Sequence, residues 1–304
     1  MLKKSENYRI IANDFLEDGN IIKAKQFYDK ALELKPNNLN LLYDVAYFYD
    51  KYASVDRALK IFNKIIEIKS DEAGAYYGIA TIYDRKGIYL KAIKFYKIAI
   101  EIDEDYYNAY LYLAESYDKL NDFKNADFYF KEAIRVREDN FWAYNNYGSY
   151  LEENNRDDEA LENFEKALKN APEHYLAYFN IAVVYKKQEK YEEAILNNRL
   201  SIEDNPNYPY AYLNLGIIYK NLKKYEKGID VLSTGIDFNP KISVLYYNRA
   251  ILLTKVGKLD QSIMDIEKAI HLSPGLLKYL RHDEEFFILK DHKVFQSIVD
   301  DSNE

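Results

Sequence analysis

The densest run of groups able to do chemistry is His282-Asp283-Glu284-Glu285. An imidazole beside three carboxylates has the composition of a metal site or of an acid–base pair. Its place next to Phe286 fits a solvated helix start better, because acids are favoured at helix N-termini. There is no glycine-rich phosphate loop, no His-Glu-x-x-His and no Gly-x-Ser-x-Gly. Cysteine is absent, which removes disulfides and thiolate metal sites. No catalytic residue, cofactor or metal is expected, and the chain reads as a non-enzyme. Carboxamides do recur: Asn146, Asn180, Asn214 and Asn248 follow one another at steps of 34 residues. A carboxamide both donates and accepts hydrogen bonds, so a row of them suits the backbone of an extended peptide whatever its sequence.

The same step governs the rest of the chain. Ala24, Ala58, Ala92, Ala126, Ala160, Ala194, Gly228 and Ser262 are all small and all 34 residues apart. Such a period means one supersecondary unit stacked many times. The blocks are 5–38, 39–72, 73–106, 107–140, 141–174, 175–208, 209–242 and 243–276. In each block the fourth, seventh, eighth and eleventh residues share one helix face, as in Tyr76, Ile79, Ala80 and Tyr83. A turn follows, centred on Gly19, Ala53, Gly87, Asn121, Asn155, Glu189, Lys223 and Gly257. Glycine and asparagine tolerate the left-handed conformation that ends a helix. A second helix carries the small residue and, four positions on, a bulky one such as Tyr28, Phe62 or Phe130. Pro36, Pro172, Pro206, Pro240 and Pro274 close five blocks, since proline cannot continue a helix.

These aromatic, large-small and alanine positions resemble the tetratricopeptide repeat, over residues 5–276. The resemblance implies an all-α solenoid: a right-handed superhelix of eight helix-turn-helix units, with first helices on the inner face. It also implies a protein–protein interaction scaffold that binds a peptide or protein segment in its concave groove. An alternative is a regulatory or substrate-recruiting subunit of an enzyme complex, for example a transferase. The tail, 277–304, breaks the period. Phe286, Leu289, Phe295 and Ile298 predict two short amphipathic helices there, read as a terminal cap with a partner-binding element as the alternative.

By the same resemblance, repeat positions 2, 5, 6, 9, 12 and 13 face the groove. The partner-binding candidates are then Trp142, Asn146, Asn180, Asn214, Asn248, Phe179, Tyr210 and Tyr247. Tyr43, Tyr47, Tyr77 and Tyr112 join them in the N-terminal half. Asparagine is also the family's commonest residue at the sixth position, so the ladder admits a reading without any specific contact. The twelfth position reads Leu16, Asp50, Asp84, Asp118, Glu152, Lys186, Lys220 and Thr254, acids first and then lysines. A ligand basic toward repeats 2–5 and acidic toward repeats 6–7 would suit that order, and so would a plain solvated helix end, since these residues lie late in the helix. Arg9 and Asn13 imitate part of the carboxylate clamp of chaperone-binding repeats, but Asp44, Tyr77 and Thr81 do not complete it. Asn198, Ser201, Gly228 and Gly235 stand where larger or better helix-forming residues recur, which fits local variation in a long array or, alternatively, a compliant zone over 195–235 that lets the groove open and close.

Net charge is −8, which disfavours a phosphate-binding surface, so no nucleic acid is expected. No membrane is expected either, and the chain reads as cytoplasmic. Neither the partner's identity nor the oligomeric state is encoded in these patterns.

Overall fold

The computed structural model describes residues 2–172 and 174–300, and the chain is 81% helical without strands among them. Contacts gather into two compact units, residues 1–143 and 144–304. The first is built from α1 (Leu2–Glu17) and α2 (Ile21–Leu34), α3 (Leu39–Tyr52) and α4 (Val55–Ile68), α5 (Ala73–Arg85) and α6 (Tyr89–Ile102), and α7 (Tyr107–Lys119) and α8 (Phe123–Val136). The division falls inside α9 (Phe141–Glu153). The second unit continues with α10 (Asp157–Asn170), α11 (Tyr175–Lys187) and α12 (Tyr191–Asp204), α13 (Pro209–Asn221) and α14 (Tyr225–Phe238), and α15 (Ser243–Lys255) and α16 (Leu259–Leu272). Its last part is a 3₁₀ turn (Pro274–Leu276), α17 (Leu277–Leu280), a second 3₁₀ turn (Glu284–Leu289) and α18 (Lys293–Asp300).

The periodic small residues explain the stacking. Ala24, Ala58, Ala92, Ala126, Ala160 and Ala194 are wholly buried, which lets helices approach closely. The bulky residues four positions later, such as Tyr28, Phe62, Phe130, Phe164 and Leu232, are buried as well. Each helical pair thus hides its apolar face against its own partner and its neighbours.

The turns follow one device with one exception. Gly19, Gly87, Asn121, Asn155, Glu189, Lys223 and Gly257 all have φ between 56° and 78°. The following residue donates its N–H five residues back, as Lys190 does to the Tyr185 carbonyl at 2.9 Å. Ala53 instead takes φ −139°, and α3 runs on to Tyr52. Glu189 and Lys223 hold the left-handed conformation with side chains that disfavour it. Replacing either with glycine should raise stability by about 0.5–1 kcal/mol, the strain relieved exceeding the entropy lost to a freer unfolded chain. Chemical denaturation checks this, and an unchanged or lower midpoint would show that the strain is absent.

The zone 195–235 is closed rather than loose. Asn198 and Ser201 are fully buried. The space beside Gly228 is filled by Leu252, and that beside Gly235 by Tyr212. The glycines mark close approach, not missing packing. The one poorly served group is the Ser201 hydroxyl, buried with no hydrogen-bond partner.

Candidate functional site

In the first unit the predicted tyrosines fall into two groups of ring contacts. Tyr43 stacks on Tyr47 with centroids 6.3 Å apart, and Tyr47 meets Phe62 edge-on at 5.4 Å. Tyr77 lies 6.1 Å from Tyr112 and 5.8 Å from Tyr96. Tyr106, which the repeat pattern does not single out, is nearest to Tyr77, at 5.1 Å. Burial pushes its phenol up to about 12, and pushes those of Tyr43, Tyr47, Tyr77 and Tyr112 upward too. The hydroxyls therefore stay protonated and able to donate at neutral pH. Tyr43 donates to Glu72 Oε2 at 3.1 Å. Arg9 pairs with Asp44 at 2.8 Å, which spends the one cation that imitates a carboxylate clamp.

The acids of the twelfth position are partly committed. Asp50 is paired with Arg85, and Asp84 accepts from the Ser116 hydroxyl at 2.7 Å. At the end of this unit the Asn140 side chain caps α9 by accepting from the Trp142 N–H at 2.8 Å. The Trp142 ring meets Phe141 edge-on at 5.2 Å and is 48% exposed.

In the second unit the four asparagines do not form a uniform row. Asn180 donates to Asn145 Oδ1 at 3.0 Å, and Asn145 in turn lies 3.5 Å from Asn146 Oδ1. Asn248 bonds its own helix at the Val244 carbonyl, at 2.8 Å. Asn214 is buried and donates to Asn198 Oδ1 at 3.3 Å. Asn198 occupies the position where other blocks keep a bulky side chain, so a polar pair replaces an apolar contact. Asn214 thus belongs to the packing between repeats.

Phe179 and Tyr210 both pack on Tyr208, at 5.2 and 5.5 Å, with Tyr210 52% exposed. Burial pushes the Tyr208 phenol up to about 12. Tyr208, like Tyr106, ends its block. In that position Asn38, Asn140 and His174 accept hydrogen bonds from the next helix start, and the two tyrosines do not. An aromatic where a capping residue recurs is the signal that would have found them.

Tyr247 is covered by the tail. Its hydroxyl donates to Asp283 Oδ2 at 2.6 Å, and its ring meets Phe286 edge-on at 5.4 Å. Asp283 does start the 3₁₀ turn, accepting from the Glu285 N–H at 2.9 Å. Glu285, however, is no solvated helix-start acid: it pairs with Lys220 at 3.0 Å and Lys255 at 2.5 Å. These two ammonium groups hold its carboxyl below the ordinary range against the opposing effect of burial. Phe286, Leu289 and Phe295 are buried with Ala250, Ile263 and Ile266, as their spacing predicts.

Paired helices with a recurrent small residue define a helical-repeat scaffold. Models of the tetratricopeptide repeat match residues 15–82, 73–106 and 244–275, and that of the cilia and flagella-associated protein 70 middle TPR-like domain matches 110–230. The chain belongs to the tetratricopeptide repeat family. Among solved structures it is similar to PilF of Pseudomonas aeruginosa: TM-score 0.56, 23% identity, covering 70% of this chain and 97% of that one. The IFIT1 monomeric mutant with Gppp-AAAA gives TM-score 0.58 at 16% identity, covering 92% and 73%. The APC/C hetero-tetramer Cut9–Hcn1 gives TM-score 0.58 at 15% identity, covering 96% and 55%. At these identities the likeness is one of fold. A sequence search among curated proteins finds no match. Among the described residues no helix is long and apolar enough to cross a membrane.

Proposed function

We propose that the chain is a non-enzymatic scaffold that binds an extended segment of a partner protein on the first-helix face of its repeats. The observation that carries this reading is the exposure of three aromatics at predicted partner-binding positions. Tyr47, Trp142 and Tyr210 are 44–52% exposed, and each has another aromatic ring packed beside it. Large aromatics of this kind are the usual anchors of protein interfaces. Second helices also expose apolar residues, among them Phe128, Leu196 and Met264. These alternate at one repeat position with Lys94, Glu162 and Asp230, so they build no continuous stripe.

The test is affinity capture with the intact chain beside a Trp142→Ala, Tyr210→Ala variant. Asn214 is left alone because it is buried. Segments captured by the wild type should bind the variant at least about tenfold more weakly, the loss of about 1.4 kcal/mol that one anchor supplies. Equal affinities in a variant that melts like the wild type would move the binding surface elsewhere.

A further inference from the structure

The chain carries its own example of a ligand on the first-helix face. Glu285 sits between Lys220 and Lys255, and Phe286 packs against Tyr247 within the cluster that holds Ile251. An acidic residue followed by an aromatic one is thereby seated on lysines at the twelfth position of one repeat and the thirteenth of the next, with Tyr247 and Ile251 at the fifth and ninth. One repeat upstream the same positions hold Lys186, Asn221, Leu213 and Ile217, so one of the two lysines is replaced by a carboxamide. Leu213 and Ile217 are half-buried, like Lys186.

Lys186 differs from Lys220 in one respect. Among the described residues no carboxylate lies within ion-pair distance of Lys186, while Glu152 is engaged by Lys187 at 3.5 Å. Burial lowers the affinity of the Lys186 ammonium for its proton, and Glu152 offsets that only in part. A desolvated cation without a counter-ion is unfavourable, and an arriving carboxylate relieves it.

We infer that Lys186, with Leu213 and Ile217, seats an acidic residue followed by an aromatic one in the partner segment. Residues 283–286 fill the corresponding seat one repeat downstream, where Lys255 stands in the place of Asn221. This rests on the first-helix face being the binding face. The downstream seat also has a phenol, Tyr247, where the upstream one has Leu213. The partner's residue two places before its acid therefore needs no acceptor.

The probe is a labelled synthetic peptide with the sequence of residues 280–290, added to the intact chain and followed by fluorescence anisotropy. Wild type should bind it, more weakly as salt rises. Lys186→Gln should lower the affinity at least tenfold while melting like the wild type. A peptide carrying Glu285→Gln should lose as much on the wild type and nothing further on Lys186→Gln. Equal binding to wild type and Lys186→Gln, or no binding to wild type, overturns the assignment. So does loss in Lys220→Gln alone, which would place the peptide in the downstream seat by exchange with the tail. Peptide binding that survives Lys186→Gln but not Trp142→Ala, Tyr210→Ala removes this seat and leaves the proposed function standing. Binding that survives all these variants removes both.

Discussion

Arg249→Met is expected to destabilise the second unit by about 3–5 kcal/mol, the usual consequence of leaving a buried charge alone. Arg249 occupies the seventh repeat position, where Ile11, Val45, Ile79 and Leu215 stand elsewhere. Its Nε and Nη2 each donate to Asp265 at 2.7 Å, and Nη1 donates to the Ser233 hydroxyl at 2.9 Å. The Asp265 side chain is only 8% exposed. Asp265 in turn stands where Phe27, Ile61, Phe95 and Val231 recur, so both members of an apolar contact have been exchanged for a bidentate ion pair. Removing one partner strands the other. The double variant Arg249→Met, Asp265→Leu should recover to within about 1 kcal/mol of the wild type, because the apolar pair needs no desolvated charge. Urea denaturation of the three proteins decides it. A single variant that loses less than about 1 kcal/mol would mean that water reaches Asp265 readily.

Gly235→Ala is expected to lose about 2 kcal/mol, opposite in sign to the helix-propensity gain of about 1 kcal/mol that alanine brings. A Cβ at this position falls 2.8 Å from both Cβ and Cγ of Tyr212. Those atoms lie next to the Tyr212 backbone and cannot swing away. The ring is 2% exposed, and its hydroxyl is held on the Pro206 carbonyl at 3.1 Å. Gly228 supplies the comparison. A Cβ there meets Leu252 Cδ1 at 2.5 Å, a nearer contact but with a terminal methyl that can rotate. Gly228→Ala should therefore be the milder variant. If Gly235→Ala melts above the wild type, propensity outweighs the clash and the reading of this glycine as a close approach is wrong.

The helical pairs, the buried alanines and the turn positions were legible because each recurs with one period, and periodic burial leaves a periodic pattern. The tyrosines of the first unit were legible for the same reason. Asn214 was not, because its neighbour lies 16 residues away in the preceding repeat. The sixth position packs on the second helix before it, as Tyr112 does on Tyr96 and Gly78 on Phe62. Read alone, Asn214 belongs to a ladder. Read with Asn198, which leaves an aromatic's place polar, it must turn inward to satisfy a buried amide. The seating of Glu285 on Lys220 was also hidden. It spans 65 residues and begins where the period ends, so no repeat position announces it.

Tyr106 and Tyr208 bear on how this chain would respond to improvement by design. Each stands where three sister repeats keep a residue, Asn38, Asn140 or His174, that ties down the next helix start, a tie worth about 1 kcal/mol. Replacing both with the asparagine that Asn38 and Asn140 supply would strengthen α7 and α13 while taking away the rings packed on Tyr77 and on Phe179 and Tyr210. A version stabilised in this way would be harder to unfold and poorer at recognition. A screen for stability alone would therefore select against both rings.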